Sequence, residues 1–396
     1  MKNVLVLNQF ALPRDQGGGT RHAELFDHLE EWTVRIMAGN RNHYSQERFT
    51  TTDNRFDLIP VPAQAGHPAQ RVAGWLVYAA RVVVRSFRSR PLDLVYASSP
   101  HLFAPAAGVI ISRVRRVPLI VEVRDLWPES MVAAGVIRRD SKIHRMLSSL
   151  ERRVLNAADH IVAVTPGWRE HFSSLGIQDS RVTVVPNGTD PWVVPMDYDR
   201  SAMRQKLGLA GFSAIFAGAH GPANGLHLVL DAARELPDVK FVLMGNGPAK
   251  AQIMAQAMAE HLANVEFWDG VSKSALMEIL AAFDVGIHSL APMSVLEKGM
   301  SPNKLFDYVA AGIPAVSNCE KGLRLVFPED ESVLLGPADS LAETVSRVKK
   351  MSRGERSARV AAGSRILDSD YSRTNSRRKL QGVITEVLRT SKSGTR

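Results

Sequence analysis

Gly299-Met-Ser-Pro-Asn-Lys-Leu-Phe-Asp-Tyr-Val-Ala-Ala-Gly312 lies between two apolar runs, Asp284-Val-Gly-Ile-His-Ser-Leu290 and Ile313-Pro-Ala-Val-Ser-Asn318. The two runs read as buried strands and the middle as a helix with defined ends. Ser301 is placed to cap it, Pro302 suits its first turn, and Gly312 stops it. Leu305, Phe306 and Val309 fall on one face, toward a sheet. Lys304 and Asp307, three apart, share another face. Backbone N–H groups at a helix start have no intrahelical acceptor and attract anions. Lys304 adds a full positive charge there, and Asp307 stands where a carboxylate could accept hydrogen bonds from sugar hydroxyls. A diphosphate at the helix tip with a ribose beside it fits this pattern. An ordinary surface helix carrying one basic and one acidic residue fits it as well.

Working outward, the chain repeats the same alternation. Val4–Leu7 reads as a strand, followed by a loop with Gly17-Gly-Gly-Thr-Arg21, a helix from Thr20 to Glu30, and a strand at Val34–Ala38. This is the opening of a doubly wound parallel sheet. The loop is not G-x-G-x-x-G and no acidic ribose ligand ends the second strand, so a dinucleotide fingerprint is disfavoured. Residues 41–68, polar and punctuated by Pro60, Pro62 and Pro68, read as mostly loop. Residues 70–90 read as a helix with Val72, Trp75, Leu76, Ala79, Val83 and Phe87 on one side and Arg71, Arg81, Arg85 and Arg88 on the other. Such a helix suits the headgroup region of an anionic membrane, or packs normally with its arginines solvated.

Strands at Leu92–Ala97 and Pro118–Val123 lead into Ser98-Ser-Pro-His101 and Arg124-Asp-Leu-Trp-Pro-Glu-Ser130. Parallel sheets bind ligands beyond the carboxyl ends of their strands, so His101, Arg124, Asp125 and Glu129 sit where chemistry is expected. Arg124 and either neighbouring acid could instead form an ion pair that only orders the loop. After Asn187-Gly-Thr-Asp190 the periodicity stops, which marks a boundary. A second alternation starts at Ala214–Ala217, with glycine-rich loops at Gly218–Gly225 and Gly245–Gly247. The tail from Leu341 reads as helical and polar, fraying after Arg389. The expected division is residues 1–190, a linker at 191–205, a second domain at 206–370, and a C-terminal helix and basic tail at 371–396 that packs back toward the first domain.

Composition bounds the function. With 396 residues, 45% of them hydrophobic, two domains can each bury a core. The single cysteine, Cys319, excludes an internal disulfide and a cysteine-based metal site. The N-terminal apolar run is too short for a signal peptide, and no run approaches the length of a membrane-spanning helix. A formal charge of +9 favours anionic partners. Nucleic acid is the weakest of these, because no recognition motif accompanies the charge.

Arg124-Asp-Leu-Trp-Pro-Glu-Ser130, Val185-Pro-Asn-Gly-Thr-Asp190, Met244-Gly-Asn-Gly-Pro248 and Ser301–Gly312, in that order, resemble glycosyltransferase family 4. They look most like its WbuB-like branch, which acts in bacterial surface-polysaccharide assembly. The resemblance covers nearly the whole chain. It implies an α/β fold of two doubly wound Rossmann-like domains facing a cleft (GT-B). It implies a retaining, metal-independent glycosyltransferase with no cofactor, using a nucleotide sugar, most simply a UDP-sugar, as substrate. The acceptor would be a saccharide, polyprenyl-diphosphate-linked, and the protein would work in the cytoplasm as a peripheral protein at the inner face of an anionic membrane.

The same resemblance places donor-binding roles on Gly18, Gly19, Gly218, Asn224, Gly245, Glu297, Ser301, Pro302, Asn303, Lys304, Leu305 and Asp307. Asp307 would hold the ribose hydroxyls. The family's other acid falls on Gly299, a departure for which nearby Glu297 is a substitute. A loop arginine and lysine of many members are replaced by His220 and Asn224, so Lys304 must carry more of the diphosphate charge. Catalytic roles fall on Asp125, facing the acceptor hydroxyl, with His101 as alternate, and on Lys304 and Arg124. Arg21, Arg81, Arg85, Arg88 and Glu129 fall to the acceptor or the membrane. Two rivals stay open: a nucleotide-sugar 2-epimerase on the same architecture, and a non-catalytic nucleotide-binding relative.

Overall fold

A computed structural model describes residues 2–16, 19–27, 31–42, 45–63, 68–88, 91–328 and 331–393. The chain divides into two compact units, Met1–Pro186 with Ser376–Arg396, and Asn187–Asn375.

The first unit is built on a parallel sheet of seven strands: β1 (Lys2–Leu7), β2 (Trp32–Gly39), β3 (Phe56–Ile59), β4 (Leu94–Ser98), β5 (Leu119–Val123), β6 (His160–Ala163) and β7 (Val182–Val184). Their order is β3-β2-β1-β4-β5-β6-β7. Strands β4 and β5 are buried along their whole length, which explains their unbroken apolar sequences. The order reverses between β1 and β4, so the crevice at their carboxyl ends is the expected ligand position. The second unit holds a parallel sheet of six: β8 (Ser213–Ala217), β9 (Lys240–Met244), β10 (Val265–Trp268), β11 (Val285–His288), β12 (Ala315–Ser317) and β13 (Val333–Leu335). Here the order is β10-β9-β8-β11-β12-β13, reversing between β8 and β11.

Seven helices matter below: α1 (Arg21–Leu25), α2 (Pro68–Ser86), α3 (Phe103–Arg115), α4 (Lys142–Ala157), α5 (Leu226–Glu235), α6 (Asn303–Ala310) and α7 (Arg373–Ser393). The described part of the helix expected over Thr20–Glu30 is α1, which ends at Leu25; positions 28–30 lie outside the described residues.

The expectations for α2 and for the tail need correction. Residues 41–68 are mostly loop where described, with one short strand, β3, that pairs in parallel with β2. It is a four-residue edge strand ending against Pro60, and Asp57 within it pairs with Arg35 and Arg85. An acid in so short an edge strand hides the alternation. On α2 the buried stripe runs through Gly74, Tyr78 and Val82, whereas Val72, Leu76 and Phe87 are exposed. Tyr78 draws the helix round by donating its hydroxyl to the Met37 carbonyl, 2.5 Å away inside the core. Finally, the tail does not fray at Arg389. Helix α7 runs to Ser393 and buries Leu380, Val383, Ile384, Val387 and Leu388 against β1 and Phe26. That i, i+3, i+4 stripe outweighs the basic residues around it.

Helix α6 is fixed by its apolar face. Leu305 and Phe306 are fully buried and Val309 nearly so, each contributing roughly 1.5–3 kcal/mol. Tyr308 ties the helix across the sheet reversal. Its hydroxyl accepts from the Ala217 N–H of β8 and donates to the Ile287 carbonyl of β11, both at 2.9 Å. The ring lies on Gly286, where an added Cβ would fall 2.3 Å from Tyr308 Cγ. Lys304, one turn before Tyr308, is thereby aimed at the end of β8. Gly312 ends the helix with φ +74°; its N–H bonds the Val309 carbonyl, and Ile313 N–H bonds that of Tyr308. The start differs from expectation. Pro302 holds the cap position without a side-chain cap, and Ser301 Oγ instead accepts from the Asn187 N–H at 2.9 Å.

Candidate functional site

In the second unit, candidate residues converge beyond β8 and β11. The loop after β8 starts at Gly218, with φ +152°, and a Cβ there would fall 2.2 Å from Lys304 Cε. Only a glycine lets the lysine stem cross this backbone. The Lys304 ammonium donates to Asn224 Oδ1 and lies 4.5 Å from the centre of the Phe216 ring. Lys304 is half-buried, and desolvation lowers its pKa to about 7. Asn224 is itself held, its amide donating to the Ala219 carbonyl at 2.9 Å. Gly245 packs its backbone on Gly218, where a Cβ would meet the Gly218 carbonyl oxygen at 1.9 Å.

His220 is fully buried, with the rings of Phe216 and Phe267 6.0 and 6.5 Å away. Burial first, then Lys250 and Lys304, bring its pKa down to about 4. It is neutral at physiological pH, so the positive charge near it belongs to Lys304 and to Lys250, the latter paired with Asp269. Asp307 accepts a hydrogen bond from Lys273 and is largely covered. Ser301 is buried, Pro302 half-buried and Asn303 exposed, and the first turn of α6 lacks a side-chain cap. Leu305 can offer a ligand only its backbone, since its side chain is in the core. Glu297 is exposed and paired with Lys321 at 3.1 Å. Gly299 has φ +125°, a conformation that strains any L side chain, so the acid missing there is excluded by the backbone itself.

In the first unit a hydrogen bond crosses the corresponding crevice. His101 Nε2, beyond β4, bonds Gln9 Oε1, beyond β1, at 3.0 Å. Its Nδ1 accepts from the Ala104 N–H at 3.3 Å, and burial lowers its pKa to about 3. Both ring nitrogens are therefore engaged and the ring is neutral. Trp75 of α2 stacks on His101 with centroids 5.5 Å apart, and Trp127 meets Trp75 edge-on at 5.2 Å. Asp125, just beyond β5, has its pKa raised by burial. The backbone N–H of Arg124 donates to Ser99 Oγ at 2.8 Å, joining the ends of β4 and β5. The Trp127–Pro128 peptide is cis.

Other candidates are committed to internal partners. Arg21 is 3% exposed; it bonds Glu122 at 2.9 Å and the carbonyls of Val185 and Pro186. Glu129 pairs with Arg139 at 2.6 Å and His144 at 3.2 Å. Arg85 pairs with Asp57 at 2.8 Å, Arg81 bonds the Pro60 carbonyl, and Arg88 is exposed past the end of α2. The Gly19 carbonyl accepts from the Leu12 N–H at 3.2 Å, and Gly18 lies outside the described residues.

Sequence reasoning missed Glu122. Its carboxylate is fully buried and takes hydrogen bonds from Arg21, from His22 at 2.8 Å and from Ser98 at 2.6 Å. The signal was available: one acid inside the apolar strand Leu119-Ile-Val-Glu-Val123. Lys273, the partner of Asp307, gave no local signal. Among the described residues no group of three or more His, Cys, Asp or Glu is arranged to hold a metal.

Residues 16–188 match the family model described as Glycosyl transferase 4-like domain, and residues 226–381 match the one described as Glycosyl transferase-like. The chain is 23% identical over 236 residues to the putative colanic acid biosynthesis glycosyl transferase WcaI of Escherichia coli K12, covering 58% of each. It is 31% identical over 132 residues to the O-antigen chain mannosyltransferase C of Escherichia coli, covering 33% of this chain and 35% of that one. The matches thus span about a third to three-fifths of these relatives' length. In structure it is similar to Anabaena Alr3699/HepE in complex with UDP-glucose, with TM-score 0.69 at 18% identity, covering 98% of this chain and 100% of that one. The two doubly wound sheets are those of a GT-B fold. The chain is a glycosyltransferase family 4-like protein, related to bacterial surface-polysaccharide glycosyltransferases.

Proposed function

We propose that the protein is a retaining, metal-independent glycosyltransferase. It moves a sugar from a nucleotide sugar, UDP-linked, to a saccharide acceptor carried on polyprenyl diphosphate. It does so in surface-polysaccharide synthesis at the cytoplasmic face of the membrane, as in the WbuB-like branch. The observation that carries this reading is Lys304. A lysine stem is threaded over Gly218 so that its ammonium lies beyond the sheet reversal, bound to a neutral amide.

The donor diphosphate takes up this charge. Gly218, Gly245 and Asn224 let backbone and amide approach it, the role the family resemblance also gives Gly18 and Gly19, and the uncapped first turn of α6, Ser301 to Leu305, adds N–H donors. Asp307 exchanges part of its contact with Lys273 for the ribose hydroxyls. As the glycosidic bond breaks, negative charge grows on the leaving diphosphate. Lys304 stabilises it without a metal, and Arg124 assists. The acceptor hydroxyl is oriented by Asp125, and its proton leaves to the departing phosphate, so no strong enzyme base is needed. His101 is a positioning residue, since both its nitrogens are used. Arg21 and Glu129 act through the loops they brace.

The relatives' roles in colanic acid and O-antigen synthesis and the UDP-glucose held by HepE support this reading. It is tested by thermal stabilisation with a panel of nucleotide sugars, followed by transfer with the best one. A donor that binds but is turned over to an epimer without acceptor would instead establish a 2-epimerase. The glycine at 299 favours one further alternative, a relative that binds nucleotide and transfers nothing. Binding without turnover of donor on any saccharide or polyprenyl-linked acceptor would establish it.

A further inference from the structure

Helices α2, α3 and α4 sit side by side, α2 against α3 and α3 against α4, and among the described residues each leaves apolar side chains exposed. Their outward side is more apolar than a solvated helix face should be. Leu76 and Phe87 on α2 and at its end, Ile110 and Val114 on α3, and Ile143 and Met146 on α4 are each between 49% and 61% exposed. Scattered apolar residues are ordinary on a surface, but six on adjacent helices form a patch.

The charges on the same helices have one sign. Helices α2 and α3 contain five arginines and no Asp or Glu. The single acid of α4, Glu151, is buried and bonded to His171. Exposed Arg113, Arg116, Lys142 and Arg145 border the apolar residues. A second copy of this face would set arginine against arginine, which disfavours self-association. An anionic lipid surface satisfies both features, accepting apolar side chains among its acyl chains and cations among its phosphates.

We propose that the combined outer face of α2, α3 and α4, rather than α2 alone, docks the protein on an anionic bilayer. The inference deepens the reading of a lipid-borne acceptor given above. Arg81 and Arg85 are secondary here, because they are tied to Pro60 and Asp57.

The test is co-sedimentation with phosphatidylcholine vesicles, with and without 30% phosphatidylglycerol, using the full chain. Leu76→Glu, Ile110→Glu and Met146→Glu, one per helix, should each weaken binding to the anionic vesicles by about tenfold. Met258→Glu, on an exposed residue of the second unit, should leave it unchanged. UDP-induced thermal stabilisation, measured in parallel, should be the same in all four variants. That separates failure of this face from failure of the donor site. Unchanged vesicle binding in the three variants overturns the proposal, as does equal binding to phosphatidylcholine alone. A dimer in solution that the three substitutions dissolve also overturns it, by assigning the face to a second copy.

Discussion

Lys304 and Asn224 are joined by a hydrogen bond from ammonium to amide oxygen, so the lysine cation rests on a neutral partner. Desolvation lowers its pKa to about 7, whereas an unfolded lysine titrates near 10.5. Between these values the unfolded chain binds more protons, so this residue makes stability rise with pH from about 7 upward; below that it is a full cost. Lys304→Met should therefore melt no lower than the parent at pH 6. It should also lose the stabilisation by UDP. A lower melting temperature in the variant at pH 6 would contradict this.

Ligand binding should show the same chemistry with the opposite demand. A bound diphosphate favours the charged lysine, so above pH 7 binding must take up a proton. The charged fraction of the free lysine falls from about one half at pH 7 to about one hundredth at pH 9, so affinity should fall by up to about fiftyfold, a change absent in Lys304→Met. Calorimetry in buffers of different ionisation enthalpy measures the proton directly. Gly218→Ala, which pushes a methyl into the lysine stem, should abolish binding to the same degree.

Asp307 and Lys273 form a partly exposed pair, so Lys273→Ala should change stability by only about 0–1 kcal/mol. Asp307→Ala should weaken UDP about tenfold, by loss of hydrogen bonds to a charged acceptor. If Asp307 holds the ribose, 2′,3′-dideoxy-UDP should bind parent and variant alike. Equal loss for both nucleotides would remove the ribose from this residue.

Burial raises the carboxyl of Asp125 above the usual aspartate range. Once a donor and acceptor are known, the acid limb of the pH–rate profile should sit correspondingly high and vanish in Asp125→Asn. The same variant should lose about a hundredfold in kcat. An acid limb that survives the substitution would assign it elsewhere.

Glu122 should govern acid stability. Buried but held by Arg21 and His22, it stays ionised well below the usual range. It therefore contributes stability above about pH 4.5 that is lost as pH falls toward its folded value. His22 is lowered by burial and resists protonation, so its contribution also declines as pH drops below 6.5. Glu122→Gln leaves Arg21 buried without a counter-charge and should cost about 3–5 kcal/mol, read from urea unfolding at pH 7.

Much of this architecture could be read from the chain because parallel strands buried on both faces leave long apolar runs, as at Leu94–Ser98 and Leu119–Val123. Helix Asn303–Ala310 announced itself by its stop at Gly312 and its apolar face. What escaped was decided at a distance. Tyr78 turns α2 by bonding to β2, and Asn187 takes the Ser301 hydroxyl from the helix it seemed to cap. The candidate site divides in the same way. Lys304 follows from helix periodicity, but its contact with Asn224, eighty residues earlier, follows only from the packing of Tyr308 on Gly286. His101 looked reactive because a sequence does not reveal that both of a histidine's nitrogens are taken.

Helix α7 has a consequence for the order in which the protein is completed. Its leucines and valines close the core beneath β1, which is made more than three hundred residues earlier. The earlier-made part of this unit must therefore wait, with that side of its sheet uncovered, until α7 is synthesised. A nascent chain halted at Pro186 should bind trigger-type chaperones or aggregate, and adding the peptide Ser376–Arg396 in trans should rescue it.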